Sequence, residues 1–126
     1  MVSDSSFSDD DRVWSGRKVF RIRGALVGVA GNVDEWMAAL DWMRKGGEAP
    51  SFGTASLLVL DEKGLRVHHG SAQAERVASG REAIGTGAKA AMCAYEAMWF
   101  SDPRRAVSIV CKHDAGSRGP VRVYRL

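Results

Sequence analysis

The spacing of apolar residues along the chain shifts from one period to another, and each shift marks an element. Lys18-Val19-Phe20-Arg21-Ile22-Arg23 alternates charged and apolar positions, the pattern of a half-buried strand. Gly24-Ala25 is a tight connection into an unbroken apolar run, Gly24-Ala25-Leu26-Val27-Gly28-Val29-Ala30-Gly31-Asn32. Glycine offers a strand no side chain to pack, so its repeated use here suggests that another group approaches the backbone closely. After Asn32 the period becomes helical. Trp36, Met37, Leu40, Trp42 and Met43 recur over roughly residues 33–45, with Asp34 and Glu35 in the first turn and Arg44-Lys45 in the last. A strand that delivers bare backbone amides to a helix start is suited to hold a developing negative charge.

Downstream, Gly46-Gly47 ends the helix and residues 48–53 form a loop. Residues 54–60 are apolar on both faces, which marks a strand covered on two sides, and Asp61-Glu62-Lys63-Gly64 turns the chain into a partner strand at 65–69. Weaker strands are expected at 72–78 and 82–85, the second ending in Ile84-Gly85-Thr86-Gly87. The alanine-rich run 88–100, with Met92, Tyr95, Met98 and Trp99, predicts a long helix. Asp102-Pro103 opens the next as N-cap and first helical residue, turning Ala106, Val107, Ile109, Val110 and Cys111 inward. Residues 116–119 are a loop and 121–126 a closing strand. At the other end, 1–7 reads as a strand, Asp9-Asp10-Asp11 as a turn, 12–14 as a short strand and Ser15-Gly16 as a turn. Strands, helix, strands, two helices, strand, with strands covered on both faces, predicts an α+β chain. Its two sheets pack between layers of helix in a four-layer α/β/β/α sandwich.

Composition narrows the function classes. The 126 residues fit one domain, 1–126, large enough to bury a real core, and 45% hydrophobic with 26% charged residues argues against disorder. The net charge of +3 is only mildly basic; short basic clusters at Arg17-Lys18, Arg104-Arg105 and Arg118 to Arg125 lack interleaved aromatics, so no nucleic acid partner is expected. The longest apolar stretch, 24–31, is too short to cross a bilayer, and the acidic, serine-rich residues 3–11 have neither the basic flank nor the apolar core of a secretory signal. No membrane association is expected. Cys93 and Cys111 stand in apolar helical contexts without metal-ligand spacing and read as buried, reduced thiols of a cytoplasmic protein, a disulfide between them staying open. His68, His69 and His113 have no Cys or HExxH partner, so neither a metal nor another cofactor is assigned.

Four motifs then fall in a telling order: Ser15-Gly16-Arg17-Lys18-Val19-Phe20, Gly28-Val29-Ala30-Gly31, Ala83-Ile84-Gly85-Thr86-Gly87, and Cys111-Lys112-His113-Asp114 followed by Ser117 and Gly119. Any one alone is common; together, on this strand and helix order, they resemble the proteasome β-subunit and its bacterial relative HslV. These are N-terminal-nucleophile (Ntn) hydrolases, and the similarity runs over almost the whole chain. The resemblance implies a threonine nucleophile whose own α-amine is the general base. Lys18 is similar to the lysine whose positive charge lowers the pKa of that nucleophilic pair, and Asp4 to the carboxylate that orients the lysine. Gly31 resembles the glycine whose backbone N–H forms the oxyanion hole. Thr86, Asp114 and Ser117 resemble the hydroxyls and carboxylate that position the terminal amine and its water, and Val29 the floor of the substrate pocket. A homo-oligomeric ring, peptide or unfolded-protein substrates and service to an ATP-dependent unfoldase are implied as well. Each residue also has a plainer reading. Lys18 and Asp4 would be solvated charges, Gly28 and Gly31 packing glycines, Gly85-Thr86-Gly87 a turn and Asp114 a helix cap.

One departure from the pattern is plain. The family threonine should begin a strand that pairs, through a hairpin, with the segment holding Asp4, and Met1 stands almost directly before Asp4. Ser3 cannot replace it, because neighbouring residues of a strand point to opposite faces, and removal of Met1 would expose Val2. Two readings stay open: Met1 is an internal methionine of a longer protein with its threonine upstream, or the chain is a non-catalytic structural or regulatory subunit of the same fold. Beginning at Met1, it is expected to show no peptidase activity.

Overall fold

The computed structural model describes residues 1–9 and 12–126, with elements in the order β1 (Val2–Ser3), β2 (Ser6–Asp9), β3 (Arg12–Ser15), β4 (Val19–Ile22), β5 (Ala25–Ala30), α1 (Val33–Lys45), β6 (Ser56–Asp61), β7 (Gly64–His69), β8 (Glu75–Arg76), α2 (Ala88–Ala97), α3 (Pro103–His113) and β9 (Arg122–Val123). They divide between two units, one made of residues 1–18 and 86–125, the other of residues 19–85 with Leu126. The combination of helices with antiparallel sheets is the expected α+β class.

In the second unit β4-β5-β6-β7-β8 form one antiparallel sheet. The β4–β5 hairpin turns at Arg23 and Gly24, both left-handed at φ 49° and 82°, the two-residue geometry whose twist matches the flanking strands. The β6–β7 hairpin closes at Asp61 opposite Gly64, with the Lys63 N–H donating to Asp61 Oδ1 at 2.8 Å. Leu57, Leu58 and Val59 are buried in succession, so both faces of β6 are covered, as its doubly apolar pattern predicts. Helix α1 packs on β4 and β5. Asn32 caps it, accepting from the Glu35 N–H at 3.2 Å, and Gly46 ends it, its N–H donating to Trp42 O at 2.7 Å.

The buried stripe of α1 is Trp36, Ala39 and Leu40, and Met37 is instead 55% exposed, because a step of one residue turns it about 100° away from Trp36. Phe52 is wholly buried between the rings of Trp42 and His68, with centroids 6.0 and 5.8 Å away. Two expected strands are corrected. The one at 72–78 shrinks to Glu75–Arg76, and 82–85 forms none. Around the latter, side chains take the backbone donors that a ladder needs, Ser79 Oγ accepting from the Arg81 N–H and Glu82 Oε1 from the Ala83 N–H.

In the first unit β1 pairs with β9 and β2 with β3, both antiparallel. The single strand expected over 1–7 is interrupted because the Asp4 carboxylate accepts from the Ser6 N–H at 3.3 Å. The closing strand expected over 121–126 is only Arg122–Val123, its ladder continued by mutual bonds between Met1 and Tyr124 at 2.8 Å. The turn expected at 9–11 lies outside the described residues, apart from Asp9, which ends β2. Helix α2 stops at Ala97, three residues short of the expected end at 100, because Trp99 and Phe100 take left-handed backbone (φ 53° and 55°) and the Phe100 N–H returns to Tyr95 O at 2.8 Å. Trp99 is therefore 92% exposed instead of lying on a helix face.

Helix α3 begins as expected, Asp102 accepting from the Arg105 N–H at 2.9 Å and Pro103 following. Its buried positions are Ala106 and Val110, one turn apart, while Ile109 is 37% exposed at the edge of that stripe. The expectation of two buried thiols holds for neither cysteine in full. Cys93 is exposed on α2, a helix with no buried residue, and Cys111 is half-buried; both are free. Among the described residues no helix is long and apolar enough to cross a membrane.

Candidate active site

Lys18 ends the connection 16–18 just before β4, and its ammonium meets both carboxylate oxygens of Asp4, at 3.0 and 3.1 Å. Only 18% of the lysine side chain and 12% of the aspartate side chain is exposed. The Phe7 ring lies against the same ammonium, its centroid 5.2 Å away, and against Gly16, where a Cβ would come within 2.6 Å of the ring. A charge pair so shielded from water loses much more when one partner is removed than an exposed pair does.

A second cluster forms where α3 ends. Asp114, the C-terminal cap of α3, has its Oδ2 bonded by the Ser117 hydroxyl at 2.6 Å and by the Thr86 hydroxyl at 3.2 Å. The Ser117 hydroxyl above all holds the Asp114 carboxyl below its usual range, with help from Thr86, the Gly116 N–H and the charge of Lys18 against the opposing effect of burial. Gly87 and Gly116 leave room for this cluster. A Cβ on Gly87 would stand 2.8 Å from Ser117 Oγ, and one on Gly116 would stand 2.7 Å from Thr86 Oγ1. Cys111, nearby on α3, has its thiol pushed up by burial and by the charges of Asp4 and Asp114, so it is poorly suited to give the thiolate of a cysteine nucleophile.

The link between the clusters is Ser6, a residue that the sequence reading passed over. Its buried hydroxyl lies 3.1 Å from Asp4 Oδ2 and 2.9 Å from Gly116 O, and it accepts from the Arg118 N–H at 2.9 Å. Beside it the wholly buried Ser5 hydroxyl donates to Pro120 O at 2.6 Å. The only local hint was the Asp4-x-Ser6 spacing, which lets an aspartate bond the backbone two residues on. The structure thus brings Asp4, Lys18, Thr86, Asp114 and Ser117 into one hydrogen-bonded region of the first unit.

Gly31 and Val29 belong to the other unit. Gly31 follows β5 at φ 88°, and a Cβ there would stand 2.4 Å from the carbonyl oxygen of Thr54; Val29 is buried within the sheet. Among the described residues no three His, Cys, Asp or Glu side chains gather as a metal site would require.

No family model and no curated protein matches the sequence. Solved structures do match. Thiobacillus denitrificans BPH, seen alone and in complex with epoxomicin, superposes with a TM-score of 0.77 at 13% identity, over 96% of this chain and 88% of that one. The eukaryotic HslV of Trypanosoma brucei superposes with a TM-score of 0.74 at 19% identity, over the same shares of the two chains. The fold is that of HslV. An HslV-like, proteasome-like Ntn-hydrolase fold is what the order of the four motifs implied, and at this identity it is recovered from backbone geometry where the sequence comparisons find nothing. In this HslV-like chain the motif residues meet through pairs far apart in sequence, Lys18 with Asp4 and Thr86 with Asp114, which no local pattern could have joined.

Proposed function

We propose that this HslV-like chain is a single-domain subunit of a cytoplasmic threonine-type peptidase. It would cleave peptide bonds of peptides or unfolded proteins, within a homo-oligomeric ring served by an ATP-dependent unfoldase. The nucleophile would be an N-terminal threonine encoded upstream of Met1. The observation that supports this reading best is the shielded Lys18–Asp4 pair, tied through Ser6 to Asp114, Ser117 and Thr86. An isolated surface lysine has no need of a bidentate carboxylate, an aromatic face and a buried serine behind it.

In the mechanism, the threonine hydroxyl gives its proton to the α-amine as its oxygen attacks the substrate carbonyl carbon. The Lys18 charge favours the neutral amine and the alkoxide character of the oxygen. The Gly31 N–H receives the negative oxygen of the tetrahedral intermediate. The ammonium then returns its proton to the departing amine, the C–N bond breaks, and an acyl ester remains. Water, deprotonated by the same amine, hydrolyses it. Thr86, Asp114 and Ser117 hold the amine and that water, and Val29 helps to set the substrate side chain.

The test begins with the DNA upstream of the Met1 codon, where an in-frame threonine-led segment is expected. The protein carrying it should hydrolyse fluorogenic peptides. Lys18→Ala should lower turnover by about a hundredfold with the thermal melt retained, and Lys18→Arg should not restore it, since the planar guanidinium does not replace a compact ammonium. An in-frame stop codon, or full turnover in Lys18→Ala, would overturn the reading and leave a non-catalytic subunit of the same fold. Light scattering tests the ring, which a strict monomer at micromolar concentration would rule out.

A further inference from the structure

We propose that Glu35 is a positioning residue, which fixes the direction of the Gly31 amide by clamping the 52–55 turn behind it. The inference rests on the reading above in that it takes the Gly31 N–H as the oxyanion donor. The geometry lies wholly in the second unit. Asn32-x-x-Glu35 has capping-box spacing, in which the glutamate would return to the N–H of the cap residue. Only half of the box is made here, Asn32 Oδ1 accepting from the Glu35 N–H at 3.2 Å. The Glu35 carboxylate reaches across to the 52–55 turn, where Oε2 accepts from the Thr54 N–H at 2.8 Å, the Ala55 N–H at 2.9 Å and the Thr54 hydroxyl at 3.3 Å. Bonds from two successive amides to an ionised carboxylate are about twice as strong as neutral ones.

Those amides flank the Thr54 carbonyl, and that carbonyl backs onto Gly31, 2.4 Å from where a Cβ would stand. The turn is pinned from within by Phe52 and Ala55, both wholly buried, and by the Ala55 N–H donating also to Phe52 O at 2.7 Å. Gly53 admits the carboxylate, since a Cβ there would come within 2.3 Å of Glu35 Oε1. The Thr54 carbonyl therefore packs against the α-carbon of the left-handed Gly31, and Glu35 holds the amides on both sides of that carbonyl. A glutamate serving only its own helix would have no use for a loop 19 and 20 residues on.

The experiment compares the ¹⁵N-labelled full chain with Glu35→Ala and Glu35→Gln. In Glu35→Ala the Thr54 and Ala55 amides should exchange with solvent at least about tenfold faster, as loss of a charged acceptor predicts. The Gly31 resonance should shift or split while Leu57 to Val59 stay protected. Glu35→Gln, which keeps one acceptor oxygen, should lie between and covers the case in which Glu35→Ala does not fold. An unmoved Gly31 resonance beside loosened Thr54 and Ala55 amides would overturn the proposal, leaving Glu35 a clasp on the turn alone. In the threonine-bearing protein Glu35→Ala should lower kcat by about tenfold to a hundredfold at unchanged KM, with Glu35→Gln recovering most of it. A raised KM at unchanged kcat would overturn the proposal too. If that protein hydrolyses no peptide, the peptidase reading falls, and the Gly31 resonance alone decides for or against Glu35.

Discussion

Gly24 and Gly31 share a backbone conformation and differ in what surrounds them, so alanine at each separates two costs that are usually confounded. Both are left-handed, at φ 82° and 88°. Around Gly24 a Cβ would meet nothing within 4 Å, whereas at Gly31 it would meet the Thr54 oxygen at 2.4 Å and the Ala55 Cα at 3.0 Å. Gly24→Ala therefore costs only the left-handed strain of an L-residue, about 1–2 kcal/mol, lessened by the smaller entropy of the unfolded chain. Gly31→Ala incurs the same strain and must also displace a backbone carbonyl by nearly 1 Å, against two amides bonded to Glu35. Overpacking of this kind costs about 1–3 kcal/mol more. For a domain of this length 1 kcal/mol moves Tm by roughly 3–5 °C, so Gly31→Ala should melt roughly 3–15 °C below Gly24→Ala. Thermal melts followed by tryptophan fluorescence read the difference. If the two variants melted within about 2 °C of each other, the Thr54 carbonyl would be a soft neighbour and the reasoning would fail. In a Glu35→Ala background the gap should narrow, because the carbonyl is then free to retreat.

Two further outcomes are expected. Burial beside Phe52 pushes the His68 imidazole below its ordinary value of 6.5, against the upward pull of the Ser71 carbonyl, so below that pH the unfolded chain takes up the proton first. Stability should be fully present above pH 6.5 and fall as the pH drops towards the folded pKa, and Tm plotted against pH should be flatter in His68→Gln; parallel curves would refute this. Trp99, 92% exposed at φ 53°, contributes strain without burial, so Trp99→Gly should raise Tm by a few degrees, about 1 kcal/mol of strain relieved, and a fall in Tm would show a contact that the structure does not contain.

What was legible in the sequence was what local chemistry decides. Helix α1 runs over the residues its pattern marks because Asn32, Asp34, Glu35, Arg44, Lys45 and Gly46 all state the same boundaries. Asp102-Pro103 does the same for the start of α3, and Gly24 and Gly64 for the two hairpins. The end of α2 has no stop signal of that kind, and its termination rests on the backbone of Trp99 and Phe100. Short strands such as Arg122–Val123 exist only through a partner at the other end of the chain, so their extent could not be read locally. The pairing of Lys18 with Asp4 and of Asp114 with Thr86 and Ser117 came into view only through the order of motifs. Ser6 and the outward reach of Glu35 did not come into view, because a serine in a polar stretch and a glutamate in a first turn are ordinary until their partners are known.

The region that holds Asp4 and Lys18 is assembled from both ends of the chain, and this imposes an order in time on a protein made from one end to the other. Residues 19–85 contain a whole antiparallel sheet and its helix, and can begin to fold as soon as they leave the ribosome. Asp4 and Ser6 emerge earlier, yet Gly116 and Arg118 are made more than a hundred residues after them. At about 5–20 residues per second, Lys18 and Asp4 wait for several seconds before their buried setting exists. Any chemistry that depends on that setting is thereby withheld from the nascent chain, including from its own unfolded segments, until the last helix and the loop after it have been synthesised.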